Sequence, residues 1–159
     1  MLTSRASCDN LFAMQTGTFL LGALTMVMLV AGACGGSTAP ADVAAPPADA
    51  QRTASGIAWK VVTPGKGTRH PRPNSEVSVL YTGWKADGEQ IDSSTDASNP
   101  TTFGLDEVIP GWTEALQLMT EGEKRRFWIP GHLAYDTSSR PGAPKGPLVF
   151  DIELIRIGS

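Results

Sequence analysis

Residues 148–157 read LVFDIELIRI, and this stretch decides the fold. Its apolar residues Phe150, Ile152 and Leu154 lie two positions apart, and the acidic Asp151 and Glu153 lie between them. A period of two indicates a β-strand with one buried face and one face in water. This alternation is typical of antiparallel sheets, because parallel sheets are usually covered on both faces. We therefore predict an antiparallel sheet in this part of the chain.

Three further segments read as strands bounded by Pro, Gly, Asn or Asp, namely residues 57–62, 76–83 and 123–129. Residues 86–89, ADGE, carry a turn signal, and residues 140–147, RPGAPKGP, form a loop rich in Pro and Gly. Loops held beside a rigid sheet commonly carry binding residues. We therefore expect a site beside these loops.

One segment has helical rather than strand periodicity. Its apolar residues fall at i, i+3, i+4 and i+7, after Pro110 and before Gly122; they are Trp112, Ala115, Leu116 and Met119. A helix of roughly ten residues is marginal alone, so it must pack against the sheet. The predicted fold class is therefore α+β.

Composition excludes several kinds of function. The 159 residues contain 13 Lys and Arg against 16 Asp and Glu, a formal net charge of −3, so no basic excess points to nucleic acid. His70 and His132 do not stand in a metal-binding spacing, and no nucleophile-elbow or phosphate-loop motif occurs. We expect a site that uses no metal and no cofactor.

The N-terminal part predicts export. Residues 19–33, FLLGALTMVMLVAGA, contain no charge and end in small residues before Cys34, which is typical of a secretory signal peptide. Fifteen residues reach roughly 22 Å, short of the ~30 Å hydrocarbon core, although a membrane-spanning or buried helix remains an alternative. The stretch VAGAC resembles the bacterial lipobox, which implies lipid attachment at Cys34. Residues 1–33 are thus predicted to be a signal peptide, and the mature protein to lie on the periplasmic side of the envelope, at the outer membrane.

Residues 34–55 are predicted to comprise the lipid-anchor cysteine and a disordered linker. The segment after Cys34, GGSTAPADVAAPPADAQRTAS, is rich in Ala and Pro and has no aromatic side chain. Such a composition does not bury enough apolar surface to offset the entropy of ordering the chain. Residues 56–159, which contain all four Trp and both Tyr, are predicted to form the folded domain.

Six motifs occur within that domain in order: VLYTG (79–83), DGEQIDSS (87–94), EVIPGW (107–112), EGEKRRFWIP (121–130), LAYD (133–136) and LVFDIEL (148–154). Together they resemble the FKBP-type peptidyl-prolyl cis-trans isomerases, in family order and with near-family spacing. The resemblance implies a bent antiparallel sheet wrapped around one short helix, with a proline-binding pocket between them. It implies an enzyme that accelerates rotation about Xaa-Pro bonds in exported or envelope proteins.

The resemblance also assigns the site residues. The implied catalytic positions are Tyr81, Asp92, Trp112, Tyr135 and Phe150. The implied substrate-binding positions are Ile91, Phe103, Val108 and Ile109. The implied partners are proline-containing polypeptides, with macrolide immunosuppressants as further ligands of the pocket.

Some of these positions have a second interpretation. Trp112 and Phe150 fit a purely structural role in the core, and Asp92 fits a cap for the turn that follows it. Ile91 stands where relatives carry Phe, and Ala97 stands where many carry an Arg that pairs with the carboxylate. A non-catalytic chaperone, or a module that binds proline-containing segments on the envelope, therefore remains the alternative function.

The run Lys124-Arg125-Arg126 is predicted to form a solvent-facing strand edge. It is assigned no role in the site, because three consecutive cations are weak evidence for an anionic partner.

Overall fold

The computed structural model describes residues 38–158, and the predictions for the signal peptide and for Cys34 lie outside them. Within this range, seven strands form one antiparallel sheet. They are β1 (Gln51–Arg52), β2 (Ala58–Thr63), β3 (Glu76–Lys85), β4 (Gln90–Ser94), β5 (Thr101–Gly104), β6 (Lys124–Ile129) and β7 (Leu148–Ile157). Helix α1 (Pro110–Gln117) precedes β6, and a 3₁₀ turn (Gly131–Leu133) follows it. The predicted α+β class is confirmed.

The order of strands places β3 at the centre of the site. The sheet runs β1-β2-β6-β7-β3-β4, and β5 also pairs with β3. One edge of β3 pairs with β7, whereas the other edge pairs with β5 at its start and with β4 at its end. Bulges interrupt the β3–β7 register between Ser78 and Val79 and the β3–β4 register between Gly83 and Trp84. Bulges bend a strand and increase its twist, so the sheet curves.

Helix α1 covers one face of this curved sheet. Leu116 of the helix, and Met119 two residues beyond its end, have no exposed surface and belong to the main core with residues of β3, β6 and β7. The helix begins close to the sheet because Gly111 has no side chain. A Cβ there would overlap Ile129 Cγ2 and lie 3.0 Å from the carbonyl oxygen of Leu133. No helix among residues 38–158 has the length and apolar character needed to cross a membrane.

The expectation of a disordered linker is wrong for residues 38–55. We call residues 38–52 the N-terminal strap, because they pack on the sheet face opposite α1. Val43 is only 9% exposed and lies in a second cluster with Ala58, Trp84, Trp128 and Val149. Strand β1, at the end of the strap, pairs with the start of β2.

Polar contacts fasten the same strap. The carboxylate of Asp42 accepts a hydrogen bond from Arg126 Nη1, and its carbonyl oxygen accepts one from Trp128 Nε1 at 2.9 Å. Lys60 of β2 forms an exposed ion pair with Asp49 at 2.8 Å. The segment has too few apolar residues for its own core, and it is ordered because the sheet supplies partners for Val43, Asp42 and Asp49.

The prediction of a solvent-facing cationic edge is also wrong, because β6 lies between β2 and β7. Arg125 is 9% exposed, donates to Glu123 Oε1 at 2.8 Å and lies 4.1 Å above the ring of Trp59. Arg126 donates two hydrogen bonds to Asp151, at 2.6 and 2.8 Å. Both guanidinium groups are therefore structural.

Candidate active site

A cavity of about 160 Å³ opens between α1 and the sheet. Its lining combines all nine residues that the sequence predicts for the site: Tyr81, Ile91, Asp92, Phe103, Val108, Ile109, Trp112, Tyr135 and Phe150. The structure therefore brings the whole predicted set together, while the individual roles in binding and catalysis stay predictions. An apolar cavity of about 150 Å³ accepts a benzene molecule, so this one has room for the five-membered ring of proline.

The topology explains why these residues meet. Strand β3 contributes Tyr81, and its neighbours β4, β5 and β7 contribute side chains beside it. Helix α1 contributes Trp112 from its first turn, and the segment before it contributes Val108 and Ile109. Tyr135 follows the 3₁₀ turn and closes the remaining side. Four strands, the helix and two connecting segments thus line one cavity.

Trp112 lies at the centre of an aromatic cluster. Its ring meets those of Tyr81, Phe103 and Phe150 edge to face, with centroid distances of 5.1, 5.6 and 5.3 Å and interplanar angles of 84°, 90° and 89°. Aromatic pairs favour this arrangement because the positive ring edge meets the negative face. Trp112 and Phe150 are 5% and 4% exposed, so both interpretations hold: they belong to the core and also line the cavity.

Gly83 allows Phe150 to form the wall. A Cβ at this position of β3 would lie 2.5 Å from Phe150 Cε1 and 3.2 Å from Ile91 Cγ1. Any side chain would therefore push the ring of Phe150 away from its place. The absence of a side chain at Gly83, the last residue of VLYTG, therefore leaves the space that the Phe150 ring occupies beside the cavity.

Asp92 is held at the rim by two donors. Its Oδ2 accepts a hydrogen bond from the hydroxyl of Tyr81 at 2.6 Å, and its Oδ1 accepts one from the backbone N–H of Ser93 at 2.8 Å. The turn-capping interpretation is wrong, because Ser93 and Ser94 continue strand β4 and no turn begins at Asp92. With Ala97 in place of an arginine, a phenol and an amide hold this carboxylate.

Burial and the bond to Asp92 both favour the protonated form of Tyr81. Burial, and then the hydrogen bond to the carboxylate, raise the pKa of Tyr81 above its ordinary value. The phenol is therefore neutral at physiological pH and its proton is directed to Asp92. Tyr135 differs, because within residues 38–158 no hydrogen bond joins its hydroxyl to another residue. Its hydroxyl is therefore available to a ligand.

The edge of the site departs from the expected aromatic pattern. Thr101, at the start of β5, shares a hydrogen bond of 2.6 Å with Ser94 of β4. A polar contact between two strands thus stands at this edge of the site. Ile91 completes this side with an aliphatic surface. The opening is consequently less aromatic than the floor.

A second groove adjoins the cavity and shares Ile91, Asp92 and Tyr135 with it, whereas its other lining residues, 140–144, were not predicted for the site. It has a volume of about 200 Å³ and is lined by Ile91, Asp92, Tyr135, Arg140, Pro141, Gly142, Ala143 and Pro144. The Pro- and Gly-rich composition of this loop signalled a site, but composition alone does not show which loop residues face the cavity. Within residues 38–158, no three His, Cys, Asp or Glu side chains are grouped so as to hold a metal ion.

Comparison with known proteins places this geometry in a family. Residues 67–155 match the family model described as FKBP-type peptidyl-prolyl cis-trans isomerase. The chain is 46% identical over 111 residues to the macrophage infectivity potentiator of Trypanosoma cruzi, which covers 69% of this chain and 57% of that protein. It is 44% identical over 106 residues to the FKBP-type peptidyl-prolyl cis-trans isomerase FkpA of Aeromonas hydrophila, covering 66% and 39%. The chain thus spans about half the length of these relatives.

A solved structure supports the same relationship. The peptidyl-prolyl cis-trans isomerase of Pseudomonas syringae pv. tomato superposes with a TM-score of 0.64 at 38% sequence identity. The match covers 78% of this chain and 100% of that one. The curved sheet and single helix are therefore the shared framework.

Proposed function

Since the chain belongs to the FKBP-type peptidyl-prolyl cis-trans isomerase family, we propose that it accelerates rotation about Xaa-Pro bonds in polypeptides. The observation that carries this proposal is the cavity of about 160 Å³ with an aromatic floor and, at its rim, the Tyr135 phenol, which has no hydrogen bond to residues 38–158. The proline ring enters the cavity and the preceding carbonyl group lies at the rim. The clients are proline-containing segments of exported or envelope proteins.

Rotation is slow because it breaks amide resonance, with a barrier of about 18–20 kcal/mol. Halfway through the rotation the amide has less double-bond character and a less polar carbonyl group. An apolar cavity disfavours this twisted amide less than it disfavours the planar one. Trp112, Phe103 and Phe150 supply such surroundings without a nucleophile, because no covalent bond forms or breaks.

Tyr135 adds a polar contribution. Its hydroxyl lies at the cavity and donates a hydrogen bond to a substrate carbonyl oxygen, which fixes the chain on one side of the rotating bond. Tyr81 does not serve this purpose, because its proton is directed to Asp92. Each factor of ten in rate requires only about 1.4 kcal/mol of selective stabilisation. A few directed contacts are therefore sufficient.

The test is refolding of a model protein whose slow phase is limited by proline isomerisation. The expected result is a faster slow phase in proportion to the enzyme added at substoichiometric amounts. Suppressed aggregation with an unchanged slow phase would contradict the proposal and would favour a chaperone or binding module. A macrolide immunosuppressant, the second class of ligand we propose for the cavity, should compete with the substrate.

We propose further that Cys34 carries lipid and holds the domain on the periplasmic face of the outer membrane. The apolar run of residues 19–33 and the VAGAC stretch support this proposal. Because the strap packs on the sheet, little chain is left between such an anchor and the folded domain. Only residues 35–37 separate Cys34 from the strap, and four links of chain reach at most about 14 Å.

An anchor at Cys34 would therefore hold the domain near the membrane surface rather than at the end of a long tether. Mass spectrometry of the mature protein from membranes tests the anchor. The expected N-terminal peptide begins at Cys34 and carries the mass of attached acyl chains. An unmodified Cys34, or a chain that retains residues 1–33, would contradict it.

A further inference from the structure

One ammonium group closes the loop that begins at Tyr135. Lys145 Nζ donates hydrogen bonds to the carbonyl oxygens of Tyr135 at 2.8 Å, Asp136 at 3.1 Å and Ser138 at 2.8 Å. A lysine ammonium has three donors, so all of them are used within one loop. The far end of the loop is thereby attached to the backbone of Tyr135 itself.

Asp136 provides a second connection across the same loop. Its Oδ1 accepts a hydrogen bond from the backbone N–H of Gly146 at 2.7 Å, and its own N–H donates to the carbonyl oxygen of Gly131 at 3.0 Å. The first of these bonds joins the two ends of the loop. The second joins the loop to the 3₁₀ turn that follows β6. Lys145 and Asp136 therefore both hold the two ends of the loop together.

The position of Tyr135 depends on this closure. Its side chain lines the main cavity, and residues 140–144, which lie between Tyr135 and Lys145, line the adjoining groove. A change in loop shape would displace the phenol from the cavity rim and would also reshape the groove. Within residues 38–158 the phenol oxygen has no hydrogen bond that would hold it independently.

We propose that Lys145 is a positioning residue for the isomerase reaction, acting through Tyr135. Its hydrogen bond to the Tyr135 carbonyl oxygen, with its two bonds to Asp136 and Ser138, holds the loop so that the phenol meets the substrate carbonyl without reorganisation. The proposal rests on the proposed function. Lys145 is exposed, so water replaces its bonds when they are lost, and the variant is expected to fold with nearly unchanged stability.

A double-mutant cycle tests the proposal. Lys145→Met keeps the stem and removes the donors, and we expect kcat/KM on an Xaa-Pro peptide to fall about fivefold, mainly through kcat. In the Tyr135→Phe background the same substitution should change kcat/KM less than about 1.5-fold, because the group it positions is absent. Lys145→Arg should recover part of the loss. Equal losses in both backgrounds, or no loss, would overturn the proposal.

Lys60→Met is the matched control. Lys60 is another exposed lysine, but its partner is the Asp49 carboxylate on the strap, away from the cavity. Exposed pairs of this kind contribute about 0–1 kcal/mol, so this variant should retain wild-type kcat/KM. A similar loss in both lysine variants would show that the effect is a general one of surface charge and would overturn the proposal.

A second measurement does not depend on activity. The chain contains two tyrosines, so labelling with 3-fluorotyrosine gives two fluorine resonances, assigned with Tyr81→Phe. Lys145→Met should shift or broaden the Tyr135 resonance more than that of Tyr81. An unchanged Tyr135 resonance would overturn the positioning role. An inactive wild-type protein would instead refute the proposed function, and the resonance would still decide the positioning role.

Discussion

At the scale of single residues, Trp112 and Trp84 are a matched pair. They are 5% and 2% exposed, and among the described residues neither indole Nε1 has a hydrogen-bond partner. Trp112 lines the aromatic cavity, whereas Trp84 lies in the cluster beneath the strap. Replacement of either by Phe therefore removes similar surface and no hydrogen bond to the described residues. Only the replacement of Trp112 changes the proposed floor of the aromatic cavity.

Trp112→Phe should lower kcat/KM about fivefold, since the lost contact area is worth about 1 kcal/mol of substrate and transition-state binding. Trp84→Phe should retain wild-type kcat/KM. Both variants should lose about 1–2 kcal/mol in the free energy of unfolding. Isomerase kinetics and urea denaturation measure these effects. If both variants have the same kcat/KM, Trp112 contributes only to the packing of the core.

Tyr81 gives a prediction about pH. Because its pKa is raised in the folded state, the neutral phenol is favoured there relative to the unfolded chain. The resulting stabilisation is fully present below the unfolded-state pKa of about 10 and is lost as the pH rises above it. Between about pH 8 and pH 11, wild type should therefore lose more stability than Tyr81→Phe.

Urea denaturation of both proteins at the two pH values measures this difference. Other groups that titrate in this range are common to both chains, so the comparison isolates Tyr81. Parallel losses of stability would contradict the account of Tyr81 and Asp92.

At the scale of elements, the N-terminal strap makes the clearest prediction. Val43 is 9% exposed in the second cluster, whereas Val62 in β2 is 49% exposed. Val43→Ala should cost about 1–2 kcal/mol of unfolding free energy, because buried methyl groups leave water on folding. Val62→Ala should stay within about 0.5 kcal/mol of wild type.

Chemical denaturation of these two variants tests whether the strap is docked in solution. An equal and negligible effect at both positions would show that the strap leaves the sheet. Neither valine lines the aromatic cavity, so kcat/KM should be unchanged in both variants.

The elements differ in how well the sequence predicts them. Strand β7 was predicted at its observed limits, because Phe150 and Ile152 alternate with acidic residues over a long segment. Strands β4 and β5 were not predicted as strands, since their short polar sequences, QIDSS and TTFG, have no apolar period. The strap was missed for a different reason. Composition indicates only whether a segment can form a core by itself. It does not show that Val43 packs on a surface formed by other parts of the chain.

The site was predicted better than the segments around it. Eight of the nine lining residues came from motifs that resemble the family, Phe103 came from the segment between two of them, and the cavity contains the whole set. The role of Lys145 was not predictable, because its three bonds to carbonyl groups depend on the shape of one loop. Every residue type supplies a backbone carbonyl oxygen, so such hydrogen bonds cannot be recognised from the order of side chains in the sequence.

At the scale of the whole molecule, the domain contains every residue that the proposed reaction uses, although the chain spans about half the length of the curated relatives it matches. The Pseudomonas syringae isomerase is covered over 100% of its chain, so a family member of this extent has been solved. We propose that residues 38–158 suffice for the reaction, because the cavity and all its lining residues lie within them. The strap would then serve stability and placement rather than chemistry.

The central claim is that the aromatic cavity lowers the barrier to rotation of a bound Xaa-Pro amide. The most direct measurement is NMR exchange spectroscopy on a short Xaa-Pro peptide with substoichiometric protein. We predict cis-trans exchange cross-peaks that are absent without protein and weaker with Trp112→Phe. A peptide that shifts the resonances of cavity residues while its exchange rate stays at the uncatalysed value would contradict the claim.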